Sequence, residues 1–508
     1  MKNQTPKALK ILFPTFADML WMASFWGVLI FGRRMMNMDG DLGRHLTIGN
    51  YILDHGKIPL RDVFSHTMMG EALTPHEWLV QVVFTLAERV FSFNGVILLC
   101  ALIIAGAFWL VFKQNYSENK PLIIVFSVSI LAMIISMVHW LARPHVFTFL
   151  FLAAWMLVLN LLRKGRFKTW WMMPALMVLW ANLHGAFIAG FVTWMIYGVG
   201  VGWDVLWQRV PEDRPLPAQF WRTYLLGGGT ALAASLLNPS GLGLWATSFG
   251  YIGNRYLVSH TLEYQSPNFH SIGFWPFLLT IGLIIVVLGL REKKFGSEWL
   301  FTSAAWLVMG LYSARNIPLF GIVAAPLLVY GLDDLFTQAA DRFKLVGLLR
   351  ESNKRIQDID GQLVGFIWPV ICVLFAIVGL GLGLRFDPQG LGYNFDPEVF
   401  PVAAVDWLEE NPQEGEMFNH FIWGGYMLYR QWPERLVFID GQTDFYGEEL
   451  TRQYQQVVHF QDDWADVLDQ HDVAWAILPS DSLAAREIQQ ELGWAVLYED
   501  NTAVILRR

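Results

Sequence analysis

The chain has 508 residues, of which 54% are hydrophobic and only 16% are charged. Soluble proteins carry about 25% charged residues, so this composition is typical of a membrane protein. The net charge is −8 and no basic cluster stands outside the predicted loops, which argues against a nucleic-acid partner. Both cysteines, Cys100 and Cys372, lie in apolar runs and indicate neither a disulfide framework nor a metal site.

Apolar runs recur along the first three quarters of the chain. A helix needs about 20 apolar residues to cross a bilayer, and shorter runs suffice where neighbouring helices cover their ends. The first run has a basic start and no small-residue cleavage site, which predicts a retained span rather than a removed signal peptide. Segment 79–92 and parts of 241–260 are predicted to lie along the membrane surface. The pattern predicts about eleven spans: 11–31, 94–112, 121–138, 145–162, 169–182, 186–206, 223–237, 274–290, 298–312, 317–331 and 363–384.

Lysine and arginine concentrate in alternate loops. One set of loops includes "RKGRFK" at 163–168, "REKK" at 291–294 and the basic residues between 342 and 355. The other set is poor in positive charge outside residues 33–61. The positive-inside rule therefore predicts a cytoplasmic N-terminus and an external C-terminal part. Residues 1–385 are predicted to form the membrane domain, with a first external loop at 33–78.

From residue 386 to 508 the composition becomes that of a soluble domain. Here "EMFNHF", "RLVFID", "VAWAILP", "WAVLYED" and "TAVILRR" predict strands, and "WGGYMLYRQ", "GEELTRQYQQVVHF" and "SLAAREIQQELG" predict helices. Such alternation indicates a small α/β domain with a central sheet. No Gly-rich phosphate fingerprint occurs in it, so a nucleotide site is not expected. The predicted fold class is a multi-pass α-helical membrane protein with a C-terminal extracytoplasmic α/β domain.

The first external loop begins with Asp39 and Asp41 on either side of a glycine, followed one helical turn later by Arg44 and His45. Two such carboxylates can bind a divalent cation, Mg²⁺ or Mn²⁺, or one can act as general base while the other tunes it. The plainer alternative is that one of them caps the helix "DLGRHLTIGNYILDHG", because aspartate is a preferred N-cap residue.

The same loop ends in "TPHEW", which offers His76 and Glu77 where the chain re-enters the membrane. A polar lid is the plainer interpretation of such a pair. The second histidine of an HExxH zinc helix is missing, so a zincin is not proposed.

Further polar residues lie at the other external boundaries, where ionisable groups are costly and usually face a cavity. Arg143 and Arg315 each lie beside an asparagine or histidine in a short turn. Two arginines can grip a phosphate bidentately, whereas snorkelling to the headgroups is the alternative for either one. The remaining substrate-binding candidates are His145, Asn182, His184, Glu263, His270 and Asn316, with His139, Asn238, Gln265 and Asn268 as further boundary residues.

Three aspartates lie outside this set. Asp18, within the first span, is predicted to pair with a buried partner or to line the same cavity. Asp440 and Asp444 in "FIDGQTDFY" follow a predicted strand, where sites of α/β domains tend to lie, with ordinary turn chemistry as the alternative.

With these residues in place, the chain resembles the C-fold (GT-C superfamily) integral-membrane glycosyltransferases, which use polyprenyl-phosphate sugars. The resemblance rests on the N-in first span, the acidic motif directly after it (Asp39, Asp41), the long first external loop and the polar turns on the external side. In several such enzymes the acidic residues are adjacent, whereas here a glycine intervenes. No acceptor-peptide motif like that of oligosaccharyltransferases is recognisable, so the acceptor stays open.

The resemblance implies transfer of a hexosyl or pentosyl group from a polyprenyl-phosphate-linked donor, with membrane lipids as further partners. It places the enzyme in a bacterial inner (cytoplasmic) membrane, active at the outer face of the cell envelope. Asp41, supported by Asp39, would take the acceptor proton, and basic side chains would stabilise the departing lipid phosphate. Mg²⁺ or Mn²⁺ on Asp39 and Asp41 is an optional cofactor.

Three other classes stay open on the sequence alone. Another outer-face lipid-linked enzyme, such as a polysaccharide ligase or an acyltransferase, would rely on the external histidines. A lipid or solute transporter would place polar residues through the membrane midplane and commonly shows repeat-related halves. A structural or assembly subunit would bind a partner through its C-terminal domain.

Overall fold

The structure is a computed structural model in which residues 7–117, 120–212 and 214–508 are described. Within these ranges the membrane part is helical. Its helices are α1 (Lys7–Leu12), α2 (Phe16–Asn37), α3 (Asp41–His55), α4 (Trp78–Asn115), α5 (Leu122–Ser136), α6 (His145–Arg163), α7 (Met172–Leu183), α8 (Ile188–Leu206), α9 (Phe220–Ala234), α10 (Gly243–Gly253), α11 (Arg255–His260), α12 (Trp275–Leu290), α13 (Ser297–Tyr312), α14 (Ile317–Arg342), α15 (Lys344–Asp360) and α16 (Ile367–Gly381).

Each predicted span overlaps one of these helices. Among the described residues, 7 helices are long and apolar enough to cross a membrane, namely those built on α2, α4, α5, α6, α8, α12 and α14. The helices α7, α9, α13 and α16 are shorter, between 12 and 16 residues. The chain is therefore a multi-pass integral membrane protein, and the larger span count stays a prediction.

The helix α4 contains two predicted segments. Segment 79–92 leads directly into the span at 94–112, and the backbone is non-helical at Phe91 and Ser92, so two helices meet there at a kink. The charged residues of the first half are satisfied by neighbouring elements: Glu88 accepts from the Tyr429 hydroxyl at 3.3 Å, and Arg89 donates to Asp54 at 2.6 Å. The kink thus separates the two segments where the sequence predicted their boundary, and the surface location of the first segment stays a prediction.

Asp18 lies in the first turn of α2, not deep within a span. It forms a reciprocal capping box with Thr15, and its Oδ1 accepts from the Phe366 backbone N–H at 3.0 Å. The predicted partner therefore exists, but it is a set of backbone groups at a helix end.

The C-terminal part contains a four-stranded sheet of order β1-β2-β4-β3. The strand pair β1 and β2 is parallel, and the pairs β2–β4 and β3–β4 are antiparallel, with Met417 opposite Trp475 and Ile477 opposite Ile505. The strands are β1 (Glu416–Asn419), β2 (Val473–Pro479), β3 (Ala495–Glu499) and β4 (Ala503–Arg507); the helices are α17 (Val402–Glu410), α18 (Gly424–Gln431), α19 (Thr443–Val458), α20 (Trp464–Gln470) and α21 (Leu483–Glu491).

The prediction of a strand for "RLVFID" was wrong. This segment is not a sheet strand; it pairs with the first loop, where the Val437 N–H donates to Phe64 O at 3.2 Å and the His66 N–H donates to Val437 O at 3.1 Å. On its other side the amide of Asn419 accepts from Phe438 and donates to Ile439 O. A side chain thus satisfies backbone groups that a neighbouring strand would otherwise satisfy.

The first loop and the C-terminal part pack together directly. The helices α3 and α18 cross at Gly43 and Gly425, where a Cβ on Gly43 would overlap the Gly425 carbonyl. Ile48 and Ile52 from α3 share a buried cluster with Tyr426 of α18. We call the side of the helix bundle that carries residues 33–78 and 386–508 the site face.

Candidate active site

The centre of the candidate site is the start of α3. Asp41 is the first helical residue, and its backbone N–H donates to Asp39 Oδ1 at 2.7 Å. The N-cap position itself is Gly40, whose missing side chain cannot supply this bond. Asp39 therefore does cap the helix, from one position further out, and this cap fixes where the Asp41 carboxylate points.

Arg143, in the turn between α5 and α6, binds both aspartates. It donates from Nη2 to Asp41 Oδ2, and its Nη1 is 3.0 Å from Asp39 Oδ2. Burial raises the pKa of Asp39 to about 7, although the charge of Arg143 opposes this shift. The two carboxylates that the sequence singles out thus share one guanidinium.

The same contact bears on metal binding. The guanidinium of Arg143 already bridges the two carboxylates and supplies the positive charge that a divalent ion would supply. Over residues 7–117, 120–212 and 214–508, no group of three or more His, Cys, Asp or Glu side chains is placed to hold one ion. An ion on Asp39 and Asp41 would have to displace Arg143, so the residues as arranged do not fit it.

Glu263, in a short 3-10 helix after α11, brings the two predicted arginines together. Its Oε1 is 3.6 Å from Arg143 Nη1 and 3.5 Å from Arg315 Nη1, and its Oε2 is 3.4 Å from His139 Nε2. Burial alone would raise the pKa of Glu263, but the charges of Arg315 and Arg143 lower it to about 2. Arg315 also stacks over the Tyr264 ring at 4.5 Å. The two arginines therefore converge on a carboxylate of the chain itself, and their binding of a phosphate stays a prediction.

Glu77, directly before α4, gathers a second set of predicted residues. Its Oε2 is 3.6 Å from Arg44 Nη2 and 3.8 Å from His45 Nδ1. The same oxygen is 3.8 Å from His76 Nε2, and Oε1 is 4.0 Å from His184 Nε2. The His45 ring is fully buried, and burial lowers its pKa well below the ordinary value. His76 and Glu77 of "TPHEW" therefore belong to one cluster of charged and histidine side chains around Glu77.

Two of the predicted histidines, His145 and His184, contact α6 or the turn before it. His145 Nε2 is 2.7 Å from the carbonyl oxygen of His139, and the two rings lie 4.2 Å apart. His184 Nδ1 is 2.9 Å from the hydroxyl of Thr148, which also accepts from Trp180. Both predicted histidines thus lie at the site with one ring nitrogen fixed by α6 or by the turn before it.

Three predicted residues have other surroundings. Asn182 accepts from the Trp78 indole at 2.8 Å and donates to backbone carbonyls of Val178 and Leu237, so its polar atoms are used in packing. Asn316 donates to the Met309 carbonyl at a helix end. His270 is exposed, and the structure does not bring it to the cluster.

The C-terminal part adds a segment, residues 440–444, that the candidate set lacks. Arg44 Nη1 donates to Gln442 Oε1 at 2.8 Å, and its Nε is 3.6 Å from Asp440 Oδ1. Burial raises the pKa of Asp440 to about 6 against the opposing charge of Arg44. The position of Asp440 after an apolar run indicated a candidate site residue, whereas nothing in the sequence indicated a role for Gln442.

The same segment reaches His76. Asp444 Oδ2 is 3.6 Å from His76 Nδ1, on the other side of the ring from Glu77. Burial lowers the pKa of His76, but the charges of Asp444 and Glu77 outweigh this effect and raise it overall. His76 thus lies between two carboxylates, which favour its protonated form.

Comparison with known proteins addresses the fold. No family model and no curated protein matches the sequence. The oligosaccharyltransferase AglB from Archaeoglobus fulgidus, in complex with an inhibitory peptide and a dolichol-phosphate, is similar with a TM-score of 0.60 at 11% identity. That match covers 93% of this chain and 69% of the other. The same archaeal enzyme tethered to an acceptor peptide gives a TM-score of 0.56 at 12% identity, with the same coverage.

A third structure, ArnT from Cupriavidus metallidurans bound to undecaprenyl phosphate, has a TM-score of 0.48 at 13% identity. It covers 96% of this chain and 97% of its own. At such identities the AglB likeness concerns the fold. The chain shares the multi-pass fold of the AglB structures, the GT-C fold that the resemblance in the sequence predicted.

Proposed function

We propose that the protein is a membrane glycosyltransferase that moves a hexosyl or pentosyl group from a polyprenyl-phosphate-linked donor to an acceptor at the site face. One observation carries the proposal: Arg143 ties the first-loop carboxylate Asp41 to Glu263 and Arg315 on that face. The fold adds support, because the AglB structure of similar fold is a complex with a dolichol-phosphate.

In the proposed reaction an acceptor O–H or N–H group attacks the anomeric carbon of the sugar. Asp41 accepts the acceptor's proton, a new bond to the anomeric carbon forms, and the bond from that carbon to the phosphate oxygen breaks. The electron pair of the broken bond leaves on the lipid phosphate. A single displacement of this kind inverts the anomeric configuration, so a product of retained configuration by NMR would rule it out.

Asp41 suits the base role because of its position. It is the first residue of α3, where the positive end of the helix dipole favours a carboxylate, and Asp39 fixes it through the capping bond. Its side chain is only 6% exposed, so the proton transfer would occur away from bulk water. Asp39 is proposed as the supporting residue.

Arg143 and Arg315 are proposed to stabilise the lipid phosphate. Glu263 holds both guanidiniums in one place, and a phosphate entering there would exchange with or join this carboxylate. Arginine suits the role because its planar fork binds phosphate oxygens bidentately. Glu77 with His76 and His184 lies next to this centre and offers hydrogen-bonding groups for sugar hydroxyls.

The positive-inside rule favours a non-cytoplasmic site face. We propose that the protein lies in a bacterial inner membrane with this face outside. A transporter is not proposed, because charged residues elsewhere in the bundle pair at helix ends. The buried Glu298, for example, starts α13 and meets Arg214 at 2.9 Å and Arg163, the last residue of α6, at 3.6 Å.

The test begins in the native host with the gene deleted, where mass spectrometry of lipid extracts should show the polyprenyl-phosphate sugar that accumulates. That isolated lipid then serves as donor for the purified protein, and released polyprenyl phosphate gives the rate. D41N should lower the rate by about 10²–10⁴-fold, the usual worth of a general base.

The control is D54N, which alters an exposed carboxylate on the same helix and should leave the rate unchanged. Full activity of D41N, with an unchanged cellular glycan profile, would overturn the proposed base and favour a non-enzymatic role. A larger loss in D39N than in D41N would move the base role to Asp39.

A further inference from the structure

Gly441, in the C-terminal part, lies against the Asp41 carboxylate. A Cβ on Gly441 would overlap Asp41 Oδ1, and the nearest other atoms to that Cβ belong to the same carboxylate. Arg143 donates to the opposite oxygen, Oδ2. The two oxygens of Asp41 thus contact different parts of the fold: Oδ2 accepts from a guanidinium of the helix bundle, and Oδ1 lies against Gly441.

A second contact fixes the same segment to α3. Arg44, one turn after Asp41, donates to Gln442 Oε1 at 2.8 Å, and Gln442 N–H donates to Asp440 Oδ1 at 2.8 Å. Asp440 and Gln442 are both buried. Because Gly441 lies between Asp440 and Gln442 in sequence, these two hydrogen bonds determine how closely Gly441 approaches Asp41.

Packing further along the two parts prevents the segment from drifting. The crossing of α3 and α18 at Gly43 and Gly425 is a backbone-to-backbone contact, and Gly40 similarly lies against the Ile422 carbonyl. Side chains at these positions would push α3 away from the C-terminal part. The start of α3 therefore contacts the C-terminal part at Gly40, Asp41 and Gly43.

We infer that residues 440–444 are a positioning segment for the base, in which Gly441 sets the place of Asp41 Oδ1 and Gln442 ties the segment to Arg44 of α3. This gives the C-terminal part a role in the reaction, although it supplies no reacting group. The inference rests on the proposed function of Asp41. Glycine is required at 441 because any side chain would occupy the position of the carboxylate oxygen.

The test uses the full-length protein and the isolated native donor. G441A should lower kcat at least tenfold, while KM for the donor changes less than threefold, because Asp39 and Glu263 still hold Arg143 and Glu263 still holds Arg315. G250A is the matched control, since a Cβ there meets nothing within 4 Å, and it should keep wild-type kcat.

A double-mutant cycle separates positioning from general damage. If Gly441 acts through Asp41, D41N with G441A should be no slower than D41N alone. Losses that multiply, or G441A at wild-type kcat while D41N is inactive, would overturn the inference and leave the proposed function standing. Should G441A fail to fold, Q442A replaces it under the same criterion. Full activity of D41N itself would instead overturn the proposed function.

Discussion

Arg143 donates a hydrogen bond to Asp41 across 102 positions of sequence, joining the turn before α6 to the first residue of α3. The same guanidinium is 3.0 Å from Asp39 and 3.6 Å from Glu263. It is therefore the cation around which three carboxylates of the site face are arranged. Its removal would leave those carboxylates close together without the charge that offsets their repulsion.

R143A should lower the free energy of unfolding by about 2–4 kcal/mol, because breaking a largely buried ion pair leaves uncompensated charges. The loss of transfer activity should be complete within detection. Denaturant unfolding in detergent measures the first effect. R89A is the control, since Arg89 and Asp54 form an exposed pair worth less than about 1 kcal/mol. Equal destabilisation by R143A and R89A would contradict the central role of Arg143.

Glu263 gives the protein an acid-sensitive contact. Its pKa of about 2 lies below the ordinary value of 4.5, held there against burial by Arg315 and Arg143. A lowered carboxyl pKa stabilises the folded state above the unfolded pKa and loses that contribution as the pH falls toward the folded pKa. Thermal unfolding between about pH 5 and pH 2 should therefore depend less on pH in E263Q than in wild type. E491Q, at the exposed end of α21, should keep the wild-type dependence.

Chelation tests the optional metal. Because Arg143 bridges Asp39 and Asp41, we expect EDTA to leave the transfer rate within twofold of its untreated value. Added Mn²⁺ should not raise the rate above that value. A rate that vanishes with EDTA and returns with Mg²⁺ or Mn²⁺ would show that an ion displaces Arg143 during turnover. Equilibrium dialysis with Mn²⁺ alone gives a readout that does not depend on activity.

The helices were predictable because apolar length and loop charge are local properties of the sequence. The break in α4 was predictable as well, since Glu88 and Arg89 interrupt the apolar run just before Phe91 and Ser92, whereas their partners Tyr429 and Asp54 were not. The segment 435–440 was predicted to be a strand because residues 436–439 form a short apolar run. Its partner is the first loop, which no local pattern indicates.

Which residues lie at the candidate site was easier to predict from the sequence than which of these residues pair with each other. Topology placed the acidic, basic and histidine residues on one side, and the structure brings most of them within ion-pair distance. Tertiary packing brings Arg143 and Arg315 to Glu263 instead of leaving the two guanidiniums without a carboxylate partner, and no local pattern indicates this. The sequence did not single out Gly441, because a glycine that is required for its lack of a side chain cannot be distinguished from an ordinary turn glycine.

The glycine crossing of α3 and α18 should be sensitive to one methyl group. A Cβ on Gly43 would overlap the Gly425 carbonyl, so G43A should lower the free energy of unfolding by about 1–3 kcal/mol, as overpacking does elsewhere. G250A in α10 has open space around its Cβ and should be neutral or slightly stabilising. Equal effects of the two variants, measured by denaturant unfolding, would show that the crossing tolerates separation.

The membrane orientation follows from charge and can be tested with single cysteines. The basic residues near α15 predict that this helix faces the cytoplasm and that α21, in the C-terminal part, faces outside. With Cys100 and Cys372 replaced by alanine, Q490C should react with a membrane-impermeant maleimide in intact spheroplasts. R350C should react only after permeabilisation. Because Gln490 and Arg350 are both exposed, labelling of permeabilised cells is also the control that both cysteines can react. The reverse pattern would put the site face in the cytoplasm and overturn transfer at the outer surface.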